Sequence, residues 1–200
     1  MTADTRRSLH PRAALLLACC LAGCARLPPL AVLPVRSIAV LPAKNRTGDP
    51  LLIAGASFLE KYVLPTERYT VPEALAANAQ ALLAQQGFQV IAPAVVDAAT
   101  NGRAPENIED AGALAARQQI EAAVLYIDIR CWEPNVGTEP TFVIAAVTAT
   151  LIDPATGHVL WTGNHPARPV QTPGIVNLGD AYAVAARTLM TELLAPLAPQ

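Results

Sequence analysis

Few residues in this chain have the types and spacing needed for acid–base, nucleophilic or metal chemistry. His158 and His165 are close in sequence, but a metal site needs a third ligand at short spacing, and this pair has none. We therefore expect both to be solvated loop histidines. Gly55-Ala56-Ser57 lacks the second glycine of a nucleophile elbow, and neither Lys44 nor Lys61 lies in a glycine-rich phosphate loop. The pattern predicts no catalytic residue, no metal and no cofactor, and hence no enzyme.

A charged pair and a cysteine lie on one alternating segment, residues 123–132. Asp128 and Arg130 share a face of that segment, which predicts an ion pair on a strand, with a polar ligand groove as the alternative. Cys131 falls on the opposite, apolar face. We expect it to be a small buried side chain rather than a reactive thiol, because no basic residue adjoins it on that face.

A second cluster of polar residues lies nearer the N-terminus. It follows an apolar run and consists of Asn45, Thr47, Gly48 and Asp49. Glycine, asparagine and aspartate are the residues that turns favour. The segment is therefore predicted to be a polar turn between a strand and a helix. Binding of an anion by its backbone amides is the alternative.

The first 24 residues are organised like an export signal. Arg6, Arg7 and Arg12 precede an unbroken apolar run over residues 13–22, which is too short to span a bilayer. The run closes on four residues: Leu21, Ala22, Gly23 and Cys24. Small residues before a cysteine let an extended backbone enter a peptidase, and the thiol can then accept a lipid.

This ending resembles the lipoprotein box of bacteria. The resemblance implies that residues 1–23 are removed as a signal peptide and that Cys24 carries acyl chains, palmitate among them, which form a durable membrane anchor. Ala25, where aspartate marks inner-membrane retention in that family, implies an outer-membrane destination facing the periplasm. The alternatives are an ordinary secretory signal or a core segment. A twin-arginine-like motif at residues 5–9 would change only the export route.

The cysteine count and the composition bear on three questions: disulfide bonds, the presence of a folded domain and the kind of partner. Cys19 and Cys20 would leave with the leader and Cys24 would be acylated, so Cys131 alone remains and no intramolecular disulfide is expected. The chain is 52% hydrophobic and 15% charged with a net charge of −2, which favours a folded domain and disfavours nucleic acid as a partner. Residues 24–35 are predicted to be a lipidated, proline-rich tether, and residues 36–200 a periplasmic domain.

Hydrophobic periodicity predicts the element order β-α-α-β-α-β-β-β-α. This order indicates an α/β fold, α+β-like in its final hairpins, with a single mixed sheet of about five strands and helices packed on it. The predicted strands cover residues 37–42, 88–92, 123–132, 141–152 and 158–162. The predicted helices cover residues 51–63, 72–86, 108–119 and 180–195. The principal loops are predicted at residues 97–107 and 165–177.

An opening motif and a set of downstream segments carry a family resemblance over residues 37 to about 194. Ser37-Ile38-Ala39-Val40-Leu41-Pro42, followed by Asn45-x-Thr47-Gly48-Asp49-Pro50, is similar to the opening of TolB amino-terminal-like domains. Downstream, a helix that ends in Gln86-Gly87-Phe88-Gln89-Val90, a strand through Leu125-Tyr126-Ile127 and a hairpin together look like periplasmic lipoproteins related to CsgG and LpoB. The hairpin has Asp153, Pro154, Thr156 and Gly157 in its turn. Members of that superfamily are adaptors, activators or secretion subunits, so the resemblance implies a protein without catalytic activity.

We therefore expect a lipid-anchored accessory protein in envelope assembly, secretion or transport that acts through an envelope protein partner. A structural homo-oligomer is one alternative. Residues 133–140 and 165–177 are the predicted docking loops, because loops on a rigid sheet commonly carry recognition. A small-ligand-binding lipoprotein with a cleft beside Asp128 is the alternative, and a hydrolase is a weaker one.

Overall fold

The computed structural model describes residues 35–53, 69–175 and 177–198. The described strands are β1 (Ser37–Val40), β2 (Lys44–Asn45), β3 (Gln89–Val90), β4 (Ala123–Pro134), β5 (Phe142–Ile152) and β6 (Val159–Gln171). The described helices are α1 (Val71–Gln85), α2 (Pro93–Thr100), α3 (Ile108–Arg117) and α4 (Leu178–Leu194), the last followed by a 3₁₀ turn at Ala195–Leu197. The predicted fold class, a mixed sheet with helices packed on it, is confirmed.

The sheet has six strands in the order β3-β1-β4-β5-β6, and β2 pairs separately with β4. Strand β1 runs parallel to β3 and β4, whereas β4, β5 and β6 are successive antiparallel neighbours. The arrangement follows from the connections: segments containing helices allow parallel crossovers, and the two short final links allow only hairpins. This part of the topology was predicted correctly.

One face of the sheet packs against α1 and α4. Strand β5 supplies every second residue to this face, and each is 0–1% exposed: Val143, Ala145, Val147, Ala149 and Leu151. Helix α4 packs against this face with the residues whose spacing predicted an inward-facing stripe, and all of them are buried: Tyr182, Ala185, Ala186, Leu189 and Leu193. The apolar face predicted from the two-residue alternation of β5 and the one predicted from the 3.6-residue spacing of α4 therefore form one core.

The opposite face packs against α2 and α3. Ala39, Val124 and Ile152 of the sheet are fully buried against Ala111 and Ala115 of α3. Alanine at these helix positions lets the helix backbone approach the strands closely. Among the described residues, no helix is long and apolar enough to cross a membrane.

Side-chain caps set the starts of three helices. Thr70 and Glu73 form a reciprocal capping box at α1, and Pro72 lies in its first turn. Asn107 and Asn177 cap α3 and α4 by accepting bonds from backbone amides three residues later. The predicted starts of these helices therefore differ from the observed ones by at most two residues.

Two predicted elements in the first half differ from the structure. The start of the predicted helix 51–63 is not helical: Leu51 adopts φ 50°, and Leu52 forms an antiparallel bridge with Thr70. Residues 54–63 lie outside the described residues. The predicted loop 97–107 begins instead as the last half of α2. Pro93 supplies the fixed φ of a first helical turn, and Asn101, at φ 52°, ends the helix in the left-handed region.

The largest difference lies in β6, which was predicted to end at residue 162. The strand continues through the predicted loop as far as Gln171 and includes Pro166 and Pro169. Prolines are tolerated there because β6 is an edge strand and irregular pairing with β5 lies between Ala145 and Val147.

Candidate functional site

A buried carboxylate on β4 is the centre of the main polar cluster. Asp128 is 5% exposed, and each of its oxygens accepts a bond from an arginine. Arg46 Nε lies 2.6 Å from Oδ1, and Arg130 Nε lies 3.0 Å from Oδ2. The predicted Asp128–Arg130 ion pair is confirmed, and Arg46 is a second partner that was not predicted. One carboxylate therefore fixes two guanidinium groups at the sheet surface.

Arg46 also connects this cluster to the loop before α3. Its Nη2 donates to the Glu106 carbonyl oxygen and, over 3.4 Å, to the Tyr126 hydroxyl. The hydrogen bond to Asp128 raises the pKa of Arg46 further above its usual value, so the guanidinium stays charged. Burial, with the nearby Asp128 charge, raises the pKa of Tyr126 and keeps its hydroxyl protonated. Lys44 completes the link through an ion pair of 2.7 Å with Glu106.

The segment Asn45–Asp49 closes on itself as a polar turn. The Asn45 side-chain oxygen accepts from the Thr47 amide at 3.0 Å, and its amide group donates to the Asp49 carbonyl at 2.7 Å. The amides of Asp49 and Leu51 are bound by Thr47 Oγ1 and Asp49 Oδ1. Gly48 adopts φ +81° at the bend. Because side chains of the turn already bind its amides, the alternative of an anion site finds no support in this geometry.

The β5–β6 hairpin turn is held by a second aspartate. Asp153 accepts from the Ala155 amide at 3.0 Å and from the Thr156 hydroxyl at 2.7 Å. Gly157 adopts φ +71° and donates its amide to the Asp153 carbonyl at 2.8 Å. The hydroxyl bond, together with that from Ala155, lowers the pKa of the Asp153 carboxyl.

This lowered pKa gives a pH-dependent prediction. A carboxyl with a lowered folded-state pKa contributes stability above its ordinary value, 3.8, and loses it as the pH falls through the folded value. We expect the stability difference between the wild type and Asp153→Asn, which cannot titrate, to shrink between about pH 5 and about pH 2. Thermal unfolding at both pH values measures it. A difference that stays constant would contradict this account of the turn.

His158 is exposed, as predicted, but the prediction of a solvated loop is wrong for His165. His165 is 2% exposed, and its Nδ1 lies 3.0 Å from the Ala145 carbonyl, so this nitrogen carries the proton when the ring is neutral. Its Nε2 accepts from Arg168 Nε at 3.0 Å, and Arg168 also pairs with Glu192 at 2.8 Å. His165 was misplaced because the extension of β6, which turns it toward α4, was not predicted.

The structure gathers no metal-binding set of three His, Cys, Asp or Glu side chains within the residues that it describes. Cys131 is free and half-buried rather than buried on the apolar face, and its Sγ lies 3.7 Å from the Ile144 carbonyl oxygen. A bulge between Ile129 and Cys131 reverses the alternation. Burial and the Glu133 charge raise the pKa of the thiol, which disfavours a reactive thiolate.

The same bulge moves Trp132 into the core, although the sequence pattern placed it on the polar face. Trp132 is 3% exposed and meets the ring of Tyr182 edge to face, with the centroids 6.1 Å apart. The apolar core between the sheet and α4 therefore extends almost to the end of β4.

The two predicted docking segments meet at one end of the sheet. The Thr172 hydroxyl is buried and donates to the Pro140 carbonyl at 2.9 Å, while the Thr172 amide donates to the Thr141 carbonyl at 2.8 Å. Asn135 closes the other side by accepting from the Thr141 amide at 3.0 Å. Val136 is 48% exposed at the tip. We call the surface formed by residues 135–141 and 172–175 the docking end.

Two surface grooves lie away from the Asp128 cluster. One, of about 1050 Å³, lies between the start of β1, the residues after α3 and the Asp153–Ala155 turn. The other, of about 400 Å³, is lined by residues that include Tyr69, Asn78 and Arg187. Asp128 lines neither groove. Neither of them is therefore the ligand cleft beside Asp128 that the alternative function requires.

The lipoprotein-box residues Leu21, Ala22, Gly23 and Cys24 lie outside the described residues, as does the tether up to residue 34. Their assignment stays a prediction from the sequence.

No family model and no curated protein matches the chain. Among solved structures, the chain is similar to a PelC dodecamer from Paraburkholderia phytofirmans, with 19% identity, a TM-score of 0.48 and coverage of 83% of this chain and 90% of that one. It is similar to lipoprotein GNA1162 from Neisseria meningitidis, with 22% identity, a TM-score of 0.43 and coverage of 70% and 82%. It is also similar to the LpoB C-terminal domain from Escherichia coli, with 18% identity, a TM-score of 0.37 and coverage of 71% and 87%.

Proposed function

We propose that this chain is a bacterial outer-membrane lipoprotein whose domain faces the periplasm and acts as an accessory in envelope assembly, secretion or transport. The observation that carries the proposal is Cys24, which directly follows Leu21-Ala22-Gly23 and a charged and apolar leader. Two or more acyl chains give a durable anchor, whereas one gives only reversible binding. Residues 25–35, with their three prolines, would span roughly 35 Å as an extended tether.

Binding to a protein partner is the mode of action that the domain supports best. Its polar clusters are engaged in internal bonds: Asp128 holds two arginines, and Asn45 and Asp153 each close a turn. The docking end, in contrast, presents Val136 on loops braced by Thr172 and Asn135. Braced loops with an exposed apolar tip suit recognition of another protein.

Exchange of the residue after the acylated cysteine tests the membrane assignment. In lipoproteins of the resembled kind, aspartate at that position marks inner-membrane retention, so we expect Ala25→Asp to move the protein from the outer-membrane to the inner-membrane fraction of a sucrose gradient. Ala25→Ser is the matched control and leaves the protein in the outer membrane. A wild type that sediments with the inner membrane would contradict the outer-membrane assignment, and an Ala25→Asp protein that stays in the outer membrane would show that residue 25 does not set the sorting.

A photo-crosslinker at the tip of the docking end tests partner binding. With the crosslinking amino acid at Val136, we expect one discrete covalent adduct of higher mass after irradiation of intact cells. Val95 on α2, which is 57% exposed, is a matched control and should give little adduct. Equal adducts from both positions, or none from Val136, would show that the docking end is not the partner surface.

A further inference from the structure

Within the part of the chain that the structure describes, strand β6 forms the outer edge of the sheet. It is the last strand in the sheet order, and among the described residues nothing pairs with its outer side. An open edge presents unpaired N–H and C=O groups that another strand can bind, and proteins commonly block such edges with charge, proline or bulges. The second half of β6 is blocked in this way by Pro166 and Pro169.

The middle of β6 has none of these protections. Its pairing with β5 is regular from Trp161 to His165, between irregularities on either side. These five residues include no proline and no acidic residue or lysine, and the His165 side chain is buried beneath α4. Thr162 and Asn164 are exposed on the other face. This stretch is therefore a short, regularly paired edge without acidic residues, lysine or arginine.

We propose that this edge pairs antiparallel with β6 of a second copy of the chain, about a two-fold axis at Gly163. Only this register uses all five regular residues of both strands, because Gly163 is their centre. It places Thr162 opposite Asn164 of the second copy, and the reverse, as two polar pairs. Identical uncharged edges satisfy each other's backbone groups without charge repulsion, so no further complementarity is required.

Trp161 favours the same register. A Cβ atom added at Gly163 would lie 2.5 Å from the indole of Trp161, which shows that the ring folds over the glycine. In the proposed pair the two Gly163 residues are opposite each other, so the two half-buried indoles lie side by side above them. Contact between aromatic rings adds stability beyond the area that they bury. The second copy would thus cover the side of each indole that the single chain leaves open.

Paired cysteines test the register. The parent is the full-length, detergent-purified protein with Cys131→Ser. Thr162→Cys and Asn164→Cys are each introduced separately into this parent, and the two variants carry tags of different size so that their dimers can be told apart. Directly opposite residues lie within reach of a disulfide, whereas diagonal residues lie about 7–8 Å apart. We expect oxidation of a mixture of the two variants to give a covalent heterodimer, with much less dimer from either variant or the parent alone. The proposal is overturned if the mixture gives no heterodimer or no more dimer than the separate variants.

A non-covalent measurement supplements the crosslink. The double variant Thr162→Lys/Asn164→Lys would place lysines directly opposite each other twice, and we expect it to weaken the dimer by about tenfold in sedimentation velocity. The double variant Ile144→Lys/Ala146→Lys adds the same charge on the same face of β5, one strand inward and away from the partners of Thr162 and Asn164, and should leave the dimer intact. A monomeric wild type, or equal weakening by both variants, would contradict β6 pairing. The sedimentation outcomes do not depend on whether Cys24 is acylated, because they require no thiol.

Discussion

Replacing Asp128 with alanine is expected to lower the free energy of unfolding by about 2–3 kcal/mol. The substitution removes the acceptor of two charge-assisted bonds, from Arg46 at 2.6 Å and Arg130 at 3.0 Å. Loss of one partner from a fully buried pair costs more, but these two arginine side chains are 40% and 65% exposed and can recover water. The expected cost is reduced for that reason.

The same substitution is expected to loosen the Asn45–Asp49 turn locally. The Arg46 amide donates to the Ile129 carbonyl at 2.9 Å, and its side chain anchors the turn to β4. Without Asp128, we expect faster hydrogen exchange at Arg46 and Thr47, while the β5 amides change only with global stability. Denaturant titration and exchange mass spectrometry measure the two effects.

Two variants serve as controls for this prediction. Asp128→Asn keeps the shape and one acceptor, so an intermediate loss is expected. Arg117→Gln breaks an exposed pair with Asp110 whose charged atoms are 3.9 Å apart, and should change stability by less than about 0.5 kcal/mol. An Asp128→Ala protein as stable as Arg117→Gln would show that the cluster contributes nothing to the fold.

Local periodicity was enough to predict the core of this protein. The alternation over residues 141–152 and the helical stripe over residues 180–195 each place apolar side chains on one face, and the structure buries them against each other. The short link through Asp153–Gly157 allows only a hairpin, so the antiparallel pairing of β5 and β6 also followed from local residues.

Long-range register was beyond what the sequence pattern could predict. Arg46 meets Asp128 because β2 pairs with β4 and sets Lys44 opposite Asp128, across 84 positions of the chain. No local signal at Arg46 indicates this partner. The polar cluster was therefore predicted only as the Asp128–Arg130 pair, which lies on a single strand.

Strand irregularities account for the other errors. The bulge after Ile129 exchanges the faces expected for Cys131 and Trp132, because one extra residue reverses an alternation of period two. His165 was assigned to a loop because Pro166 and Pro169 follow it. At the edge of a sheet a missing N–H is tolerated, and only the observed strand order shows that β6 is an edge.

Replacing Cys24 with serine should have the largest effect of any single change. A serine hydroxyl does not take the place of the thiol that accepts the diacylglyceryl group, so processing at Gly23-Cys24 and acylation should both fail. We expect the variant to remain as a precursor of higher mass that incorporates no palmitate. Cys131→Ser is the matched control, because it removes a cysteine outside the box and should leave labelling unchanged.

Incorporation of radiolabelled palmitate, compared between the wild type, Cys24→Ser and Cys131→Ser, is the most direct test of a lipid-anchored envelope protein. We expect a labelled band in the wild type and in Cys131→Ser, and none in Cys24→Ser. A wild type without label, or a Cys24→Ser protein that keeps it, would contradict the account.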